Sequence, residues 1–248
     1  MFKLSISSLA VSRLRACTAA LMMGAACVSA HSESTRDMQV RTARSIPSAE
    51  TAAKRLVTPA LGGNARDGLK VAIQKCQACH GIDGNSANFK DYPKLSAQLQ
   101  GYLYLQLVNF ATGERRHPVM SPMVAGLTNT DFLNLSAHYS QQKRLAEPPL
   151  PAERTAIGKQ LYTYGVRERG IPACAWCHGA DARGNQPVFA HLAGQHPAYL
   201  TEMIRIFKTE EGFKNPYAYV MKAAVYNLTE AEIESLANYL ATIPQTAK

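Results

Sequence analysis

The 248-residue chain is poor in several things, and each shortage excludes something. It has six cysteines, of which Cys17 and Cys27 fall in an N-terminal stretch that reads as a secretory signal. The remaining four all lie in two short motifs, so none is left for a structural disulfide, although an exported chain could form one. No apolar run offers a comfortable membrane span. The longest, Ala16 to Val28, falls short of the roughly 20 residues a span needs. No strand-like alternation competes with the helical periods. There is one tryptophan, Trp176. Acids are outnumbered, 18 Asp and Glu against 27 Lys and Arg, for a formal charge of +9. An exported protein does not meet nucleic acid, so this charge speaks for an acidic protein face and a salt-dependent encounter.

Residues 1–30 have the parts of a cleaved export signal: Lys3, Arg13 and Arg15, the apolar core, then Val28-Ser29-Ala30 as a small-x-small site. Cleavage after about Ala30 makes the chain periplasmic and lowers the formal charge to +6, since three cations and no acids are lost. The alternatives are an uncleaved anchor and a lipoprotein site at Cys27, where Gly24 replaces the expected Leu. Residues 31–64 show no hydrophobic period and read as a flexible leader. Arg36, Arg41, Arg44, Lys54 and Arg55 fit a solvated tail; the alternative is contact with an acidic partner or with lipid head groups, hence peripheral membrane association.

What the chain does have is one pentapeptide twice: Cys76-Gln77-Ala78-Cys79-His80 and Cys174-Ala175-Trp176-Cys177-His178. Cys-x-x-Cys-His is the attachment signal for c-type haem. Two thiols reach the vinyl groups on one porphyrin edge, and the next residue sets an imidazole under the iron. A redox disulfide or half a zinc site would explain one Cys-x-x-Cys. The His repeated in the same place, with no further Cys nearby, argues for two covalently bound haems c.

Helical spacing surrounds both motifs. Leu69, Ala72, Ile73 and Cys76 predict a helix from Asp67 that delivers the first motif. A second helix covers about Leu99 to Thr112. Val119 to Met123 reads as irregular. Thr128 with Asp131 makes a capping-box start for a third helix striped by Phe132, Leu135 and Tyr139. Residues 144–153, with Pro148-Pro149-Leu150-Pro151, read as a linker. Beyond it Ile157 and Leu161 open another helix, and the pattern recurs. Tyr199, Leu200, Ile204 and Phe207 match Tyr102, Leu103, Leu107 and Phe110 at one constant offset. Gln195 matches Gln98, Leu192 matches Leu95, and Thr229 with Glu232 repeats the cap. The expectation is an all-α chain with two tandem domains of class I cytochrome c type related by internal duplication, residues 65–143 and 154–248.

The sixth iron ligand decides function, because His/Met iron carries electrons and an open iron binds or reacts. Met221 precedes Leu228-Thr229 by seven and eight residues, and Met120 precedes Leu127-Thr128 by the same count. Met120 and Met221 are therefore the candidates beside His80 and His178. Met123, packed on the first haem, and His117, three residues before Met120, are alternatives. Met203 reads as core packing. His138, His191 and His196 read as surface or helix-end residues, with Pro197 at a first helical turn. Tyr102 and Tyr199 can bond across the domains or to haem propionates, or simply pack with a solvated hydroxyl. Trp176 is expected over the haem edge. Arg115, Arg116, Lys143, Arg144, Arg167 and Arg169 are candidate propionate partners.

On these residues the chain, over about 65–248, resembles the cytochrome c4 family. The likeness rests on the two motifs with Gly81 and Asp83-Gly84-Asn85-Ser86, on Pro93-Lys94-Leu95 with Gln98 and Tyr102, on Pro118-Val119-Met120-Ser121-Pro122-Met123, and on Gly194-Gln195-His196 with Tyr199. It implies two folds facing through their haem propionates, His/Met ligation in each, and electron transfer, often toward a terminal oxidase. The expected partners are redox proteins, a donor dehydrogenase or membrane complex and an acceptor oxidase. The chain would catalyse nothing itself. The second expectation is a haem-bearing, electron-accepting subunit of a periplasmic dehydrogenase for sulfide or thiosulfate; the third is an enzyme with an open iron. Three departures stand out: the long leader, Ser96-Ala97-Gln98 in place of Ala-Gly-Gln, and His191 opposite Lys94. All three are expected to bear on partner choice.

Overall fold

The computed structural model describes residues 48, 61–87, 92–209 and 213–244. By contacts the chain divides into Met1–Arg44 and Ser45–Lys248. The signal and almost all of the leader fall outside the described residues, and every described element belongs to the second unit.

Among the described residues every named element is a helix, and the only β pairing is three isolated bridges. None of these helices is long and apolar enough to cross a membrane. Asn64 opens the first, α1 (Ala65–Val71), by accepting the Arg66 and Asp67 amides. The helix thus starts two residues earlier than the apolar period alone indicated. It runs on through a π turn, Ala72–Cys76, into α2 (Gln77–His80), which carries the first motif. Then come α3 (Gln100–Thr112), α4 (Met120–Val124) and α5 (Asn129–Ser140). The expectation of an irregular 119–123 is corrected: these residues form the short α4. The reason is a local cap, the His117 Nδ1 accepting the amides of Val119 and Met120 at 3.2 Å each.

The second half repeats the order with α6 (Ala152–Tyr164), α7 (Ala175–His178), α8 (Pro197–Thr209), α9 (Pro216–Val225) and α10 (Glu230–Thr242). Both capping boxes form, Thr128 with Asp131 and Thr229 with Glu232. Ile157 and Leu161 both lie in α6, as expected; Ile157 is exposed and Leu161 is buried.

In each half the first helix crosses the last at a glycine. A Cβ on Gly68 would stand 2.0 Å from the Asn134 carbonyl oxygen, and one on Gly158 2.1 Å from that of Ser235. Two apolar cores result. One gathers Leu103, Tyr104, Val108, Phe132 and Leu135; the other Leu161, Leu200, Ile233, Leu236 and Leu240.

Candidate haem-binding sites

Each motif ends on a glycine with positive φ, Gly81 (74°) and Gly179 (81°), which turns the chain away immediately after the histidine. Each motif histidine is then buried and held by one ring nitrogen. Nδ1 of His80 donates to the Pro93 carbonyl at 3.0 Å, and Nδ1 of His178 to the Ala190 carbonyl at 2.9 Å. The two carbonyls are equivalent in the repeat. An aromatic edge meets each imidazole, Tyr92 at 6.0 Å and Phe189 at 6.1 Å between centroids. A bond through Nδ1 fixes the tautomer and leaves Nε2 as a lone-pair donor. The Nε2 of His178 is buried with no hydrogen-bond partner among the described residues, a costly state for a polar atom with nothing to bind. Burial also lowers both histidine pKa values, against the partial rise from the carbonyl bonds, so the rings are neutral and able to ligate.

The cysteines fit the same group. All four are unpaired and half-buried. Burial pushes the Cys76 and Cys174 thiols up to about 11, away from the thiolate that disulfide exchange requires. Among the described residues no three His, Cys, Asp or Glu side chains are grouped to hold a metal ion. Neighbouring bonds hold the motif backbone: Ser86 Oγ donates to the Cys79 carbonyl at 3.1 Å, and Asn185 Nδ2 to that of Cys177 at 2.7 Å. A tyrosine hydroxyl donates to the carbonyl of each motif glycine, yet from opposite ends of the two halves. Tyr139 of α5 serves Gly81 at 3.4 Å, and Tyr162 of α6 serves Gly179.

Met120 is half-buried against the core that also holds Cys76, and Met221 against the core that holds Cys174. Met123 is 41% exposed. His117 is exposed, and its Nδ1 is committed to capping α4. Trp176 is 76% exposed. Arg169 pairs with Glu232 at 2.6 Å on the surface, which removes it from the candidate propionate partners.

Of the residues read as surface or helix-end, His138 lies in the last turn of α5 and His196 directly before α8; the surface reading is corrected, since His138, His191 and His196 are all buried. Their partners are far along the chain. His138 Nε2 meets the Ile82 carbonyl at 3.0 Å, His191 Nδ1 that of Ala97 at 2.7 Å, and His196 Nδ1 the Glu147 carboxylate at 2.8 Å. The last two belong to a seam between the halves. There Gln98 grips the backbone of His191, with its Nε2 donating at 3.0 Å and its Oε1 accepting at 2.8 Å. Gln195 grips Lys94 in the same way at 2.9 and 2.8 Å. The matched glutamines thus form a reciprocal clasp related by the repeat.

A chain with two such sites on a duplicated helical fold is a di-haem c-type cytochrome, an electron-transfer protein. The family model for cytochrome c matches residues 155–244. A cytochrome c4 from Thiocapsa roseopersicina is 32% identical over 188 residues, 74% of this chain and 94% of the relative. The structure of reduced cytochrome c4 from Pseudomonas stutzeri matches with a TM-score of 0.69 at 30% identity, covering 74% of this chain and all of that one. A thiosulfate dehydrogenase electron acceptor from Thiomonas intermedia is 35% identical over 171 residues, 68% of this chain and 78% of the relative. The chain belongs to the cytochrome c4 family, and its cofactor is covalently bound haem c at Cys76 and Cys79 and at Cys174 and Cys177.

Proposed function

We propose that the two domains, residues 65–143 and 154–248, each hold one haem between a histidine and a methionine. His80 and Met120 would ligate the first iron, and His178 and Met221 the second. The observation that carries this reading is the repeated arrangement. Each histidine is fixed through Nδ1 with Nε2 left over, and on each core a methionine lies at the same register before the last helix. His117 is spent as a helix cap, which favours Met120 over a second imidazole.

Bound haem supplies reversible one-electron chemistry between ferrous and ferric iron. The chain's own residues do the rest. Pro93 and Ala190 orient the imidazoles and set their tautomer through their carbonyls, while burial keeps the rings neutral. The cores exclude water, and thioether ligands raise the potential. The protein then passes single electrons between periplasmic respiratory partners, toward a terminal oxidase, after cleavage of residues 1–30.

A second reading has specific support in the electron acceptor of Thiomonas intermedia: the donor is a dehydrogenase oxidising an inorganic sulfur compound such as thiosulfate. Rapid reduction of the purified protein by thiosulfate and its dehydrogenase would favour it over a general respiratory donor.

The test of ligation is the absorption spectrum of the oxidised holo-protein, with haem counted per chain. Two haems with the weak red iron–thioether band are expected. Met120→Ala and Met221→Ala should each remove about half of that band, and Met123→Ala none. A full band in either of the first two would refute the assignment.

A further inference from the structure

One helix keeps an apolar face turned to water. At about 100° per residue the side chains of α9 divide into two halves. The inner half packs: Ala218 lies with Met203 and Phe213, and Met221 and Val225 lie on the second core. The outer half holds Pro216, Tyr217, Tyr219, Val220, Ala223 and Tyr226, all exposed. Val220 is 57% exposed and Tyr226 61%. No charge stands on this half; Lys222, half-buried, flanks it. A surface helix ordinarily turns its polar residues outward, and one that is apolar all round is covered by something. The start of the helix is anchored. Asn215 caps it by accepting the Ala218 amide at 3.1 Å. Phe213, just before it, stacks on Phe207 at 4.9 Å and meets the Arg115 guanidinium of the other half at 5.0 Å, which also lies 4.6 Å from the Phe110 ring.

The first half has no such face. Its equivalent, α4, is five residues long, and the exposed Arg116 and His117 stand just before it. Among the described residues every exposed tyrosine and tryptophan belongs to the second half. Three occupants differ in chemistry. A helix seated in lipid sets Trp, Phe or Leu beside a row of cations; α9 offers three tyrosines, one valine and few charges. A second copy of the chain would lay the face on itself and bring like lysines together. Tyrosines suit a protein partner, because each ring buries apolar area while its hydroxyl still bonds. The surrounding charge gives that partner its sign. From Phe213 to Thr229 the sequence holds two cations, Lys214 and Lys222, and no acid. The next acids are already paired, Glu230 with Arg205 at 2.7 Å and Glu232 with Arg169 at 2.6 Å.

We propose that the outer face of α9 is the docking surface for the redox protein that exchanges electrons with the second haem, and that this partner presents an apolar patch rimmed by acidic residues. This rests on a second haem held by His178 and Met221, as proposed above. Met221 lies on the inner side of the same helix. A partner seated on the outer side is separated from that sulfur by no more than the helix itself, about 10–12 Å across with its side chains. The apolar centre supplies the affinity, and the lysines steer the encounter. The two halves thereby take different parts, with the partner meeting the second domain rather than the first.

The test follows the purified two-haem protein in two assays, its oxidation by respiratory membranes of the source organism washed free of c-type cytochrome, and its reduction by thiosulfate dehydrogenase with thiosulfate. Val220→Asp and Tyr219→Ser should keep two haems and the red band. Each should raise KM about tenfold in at least one assay and leave kcat within about twofold. Ile157→Asp, an equally exposed change on α6, should leave both constants as they are. Lys214→Glu should also raise KM, and KM of the unsubstituted protein should climb with salt. Turnover that Val220→Asp and Tyr219→Ser leave intact in both assays would overturn the docking face alone. A KM indifferent to Lys214→Glu and to salt would overturn the acidic rim. If Val220→Asp fails to load haem, Tyr219→Ser decides by the same readout. Cosedimentation with phosphatidylethanolamine–phosphatidylglycerol vesicles that Val220→Asp abolishes would overturn the protein partner in favour of lipid. A dimer that the same variant splits would overturn it in favour of a second copy. No turnover of the unsubstituted protein in either assay would refute the carrier reading itself, and the docking face with it.

Discussion

Ala97 holds a φ of 51°, in the left-handed region, and its repeat partner Gly194 holds 70°. The geometry is demanded on both sides by the same bond to the last helix: the Ala97 amide donates to the Tyr139 carbonyl at 3.1 Å, and the Gly194 amide to that of Leu240 at 2.9 Å. A side chain in this region costs about 1–2 kcal/mol. Replacing it with glycine returns that strain but loosens the unfolded chain by about 0.5–1 kcal/mol. Ala97→Gly should therefore stabilise the first domain by about 0.5–1 kcal/mol, read as a raised thermal midpoint of the holo-protein. An unchanged or lowered midpoint would refute the strain. The sequence marks Ser96-Ala97-Gln98 as a departure from Ala-Gly-Gln, but its cost is conformational, and only the backbone angle reveals it.

The helices with an apolar period were legible: α3, α5, α8 and α10 lie where their stripes place them, and in α5 and α10 a capping box also settles the start. Two elements were not. The short α4 depends on the His117 ring reaching two amides, which no propensity encodes. The segment Gly165–Ala173, inserted between α6 and the second motif, has no counterpart in the first half, where α1 runs directly into its motif. Gly165 turns it against the Ile171 carbonyl, and Val166 and Ile171 pair as a bridge. Arg169 then fastens it to α10 through Glu232 at 2.6 and 2.9 Å. The Arg169 bonds hold the Glu232 carboxyl at about 2, below its ordinary 4.5. A depressed acid stabilises the fold fully above about pH 4.5 and loses that contribution as the pH falls toward 2. The thermal midpoint should thus fall less between those values in Glu232→Gln than in the unsubstituted protein; an equal fall would refute the pairing. At the helix crossings the margin is smaller still. Gly158→Ala would put a methyl group inside contact distance of the Ser235 carbonyl, part the two helices and destabilise the second domain by about 3 kcal/mol. Thermal unfolding would show it, and a loss within about 0.5 kcal/mol would refute the close crossing.

At the scale of the whole molecule, duplication produced more than two copies of one fold. The matched Gln98 and Gln195, visible in the sequence only as repeated letters, each reach across the seam to the backbone of the other half. The residues they grip, His191 and Lys94, are themselves a matched pair. The contact is therefore self-complementary, as in a two-fold dimer, but within one chain. Such a clasp is indifferent to the gripped side chain, since it reads the amide and carbonyl. That explains how the repeat tolerates a histidine opposite a lysine. Arg144 ties the start of the linker to carbonyls from both halves, so residues that read as a linker begin as part of the seam. Four glutamine bonds, buried and worth about 1 kcal/mol each, should make the two halves unfold together. In the double variant Gln98→Ala, Gln195→Ala the link weakens by about 4 kcal/mol, and the helix cores and haem ligands are untouched. Calorimetry of the holo-protein should then resolve two transitions where the unsubstituted protein shows one. A single transition in the double variant would mean that the arginines and the Phe110–Arg115–Phe213 stack hold the halves together without the clasp.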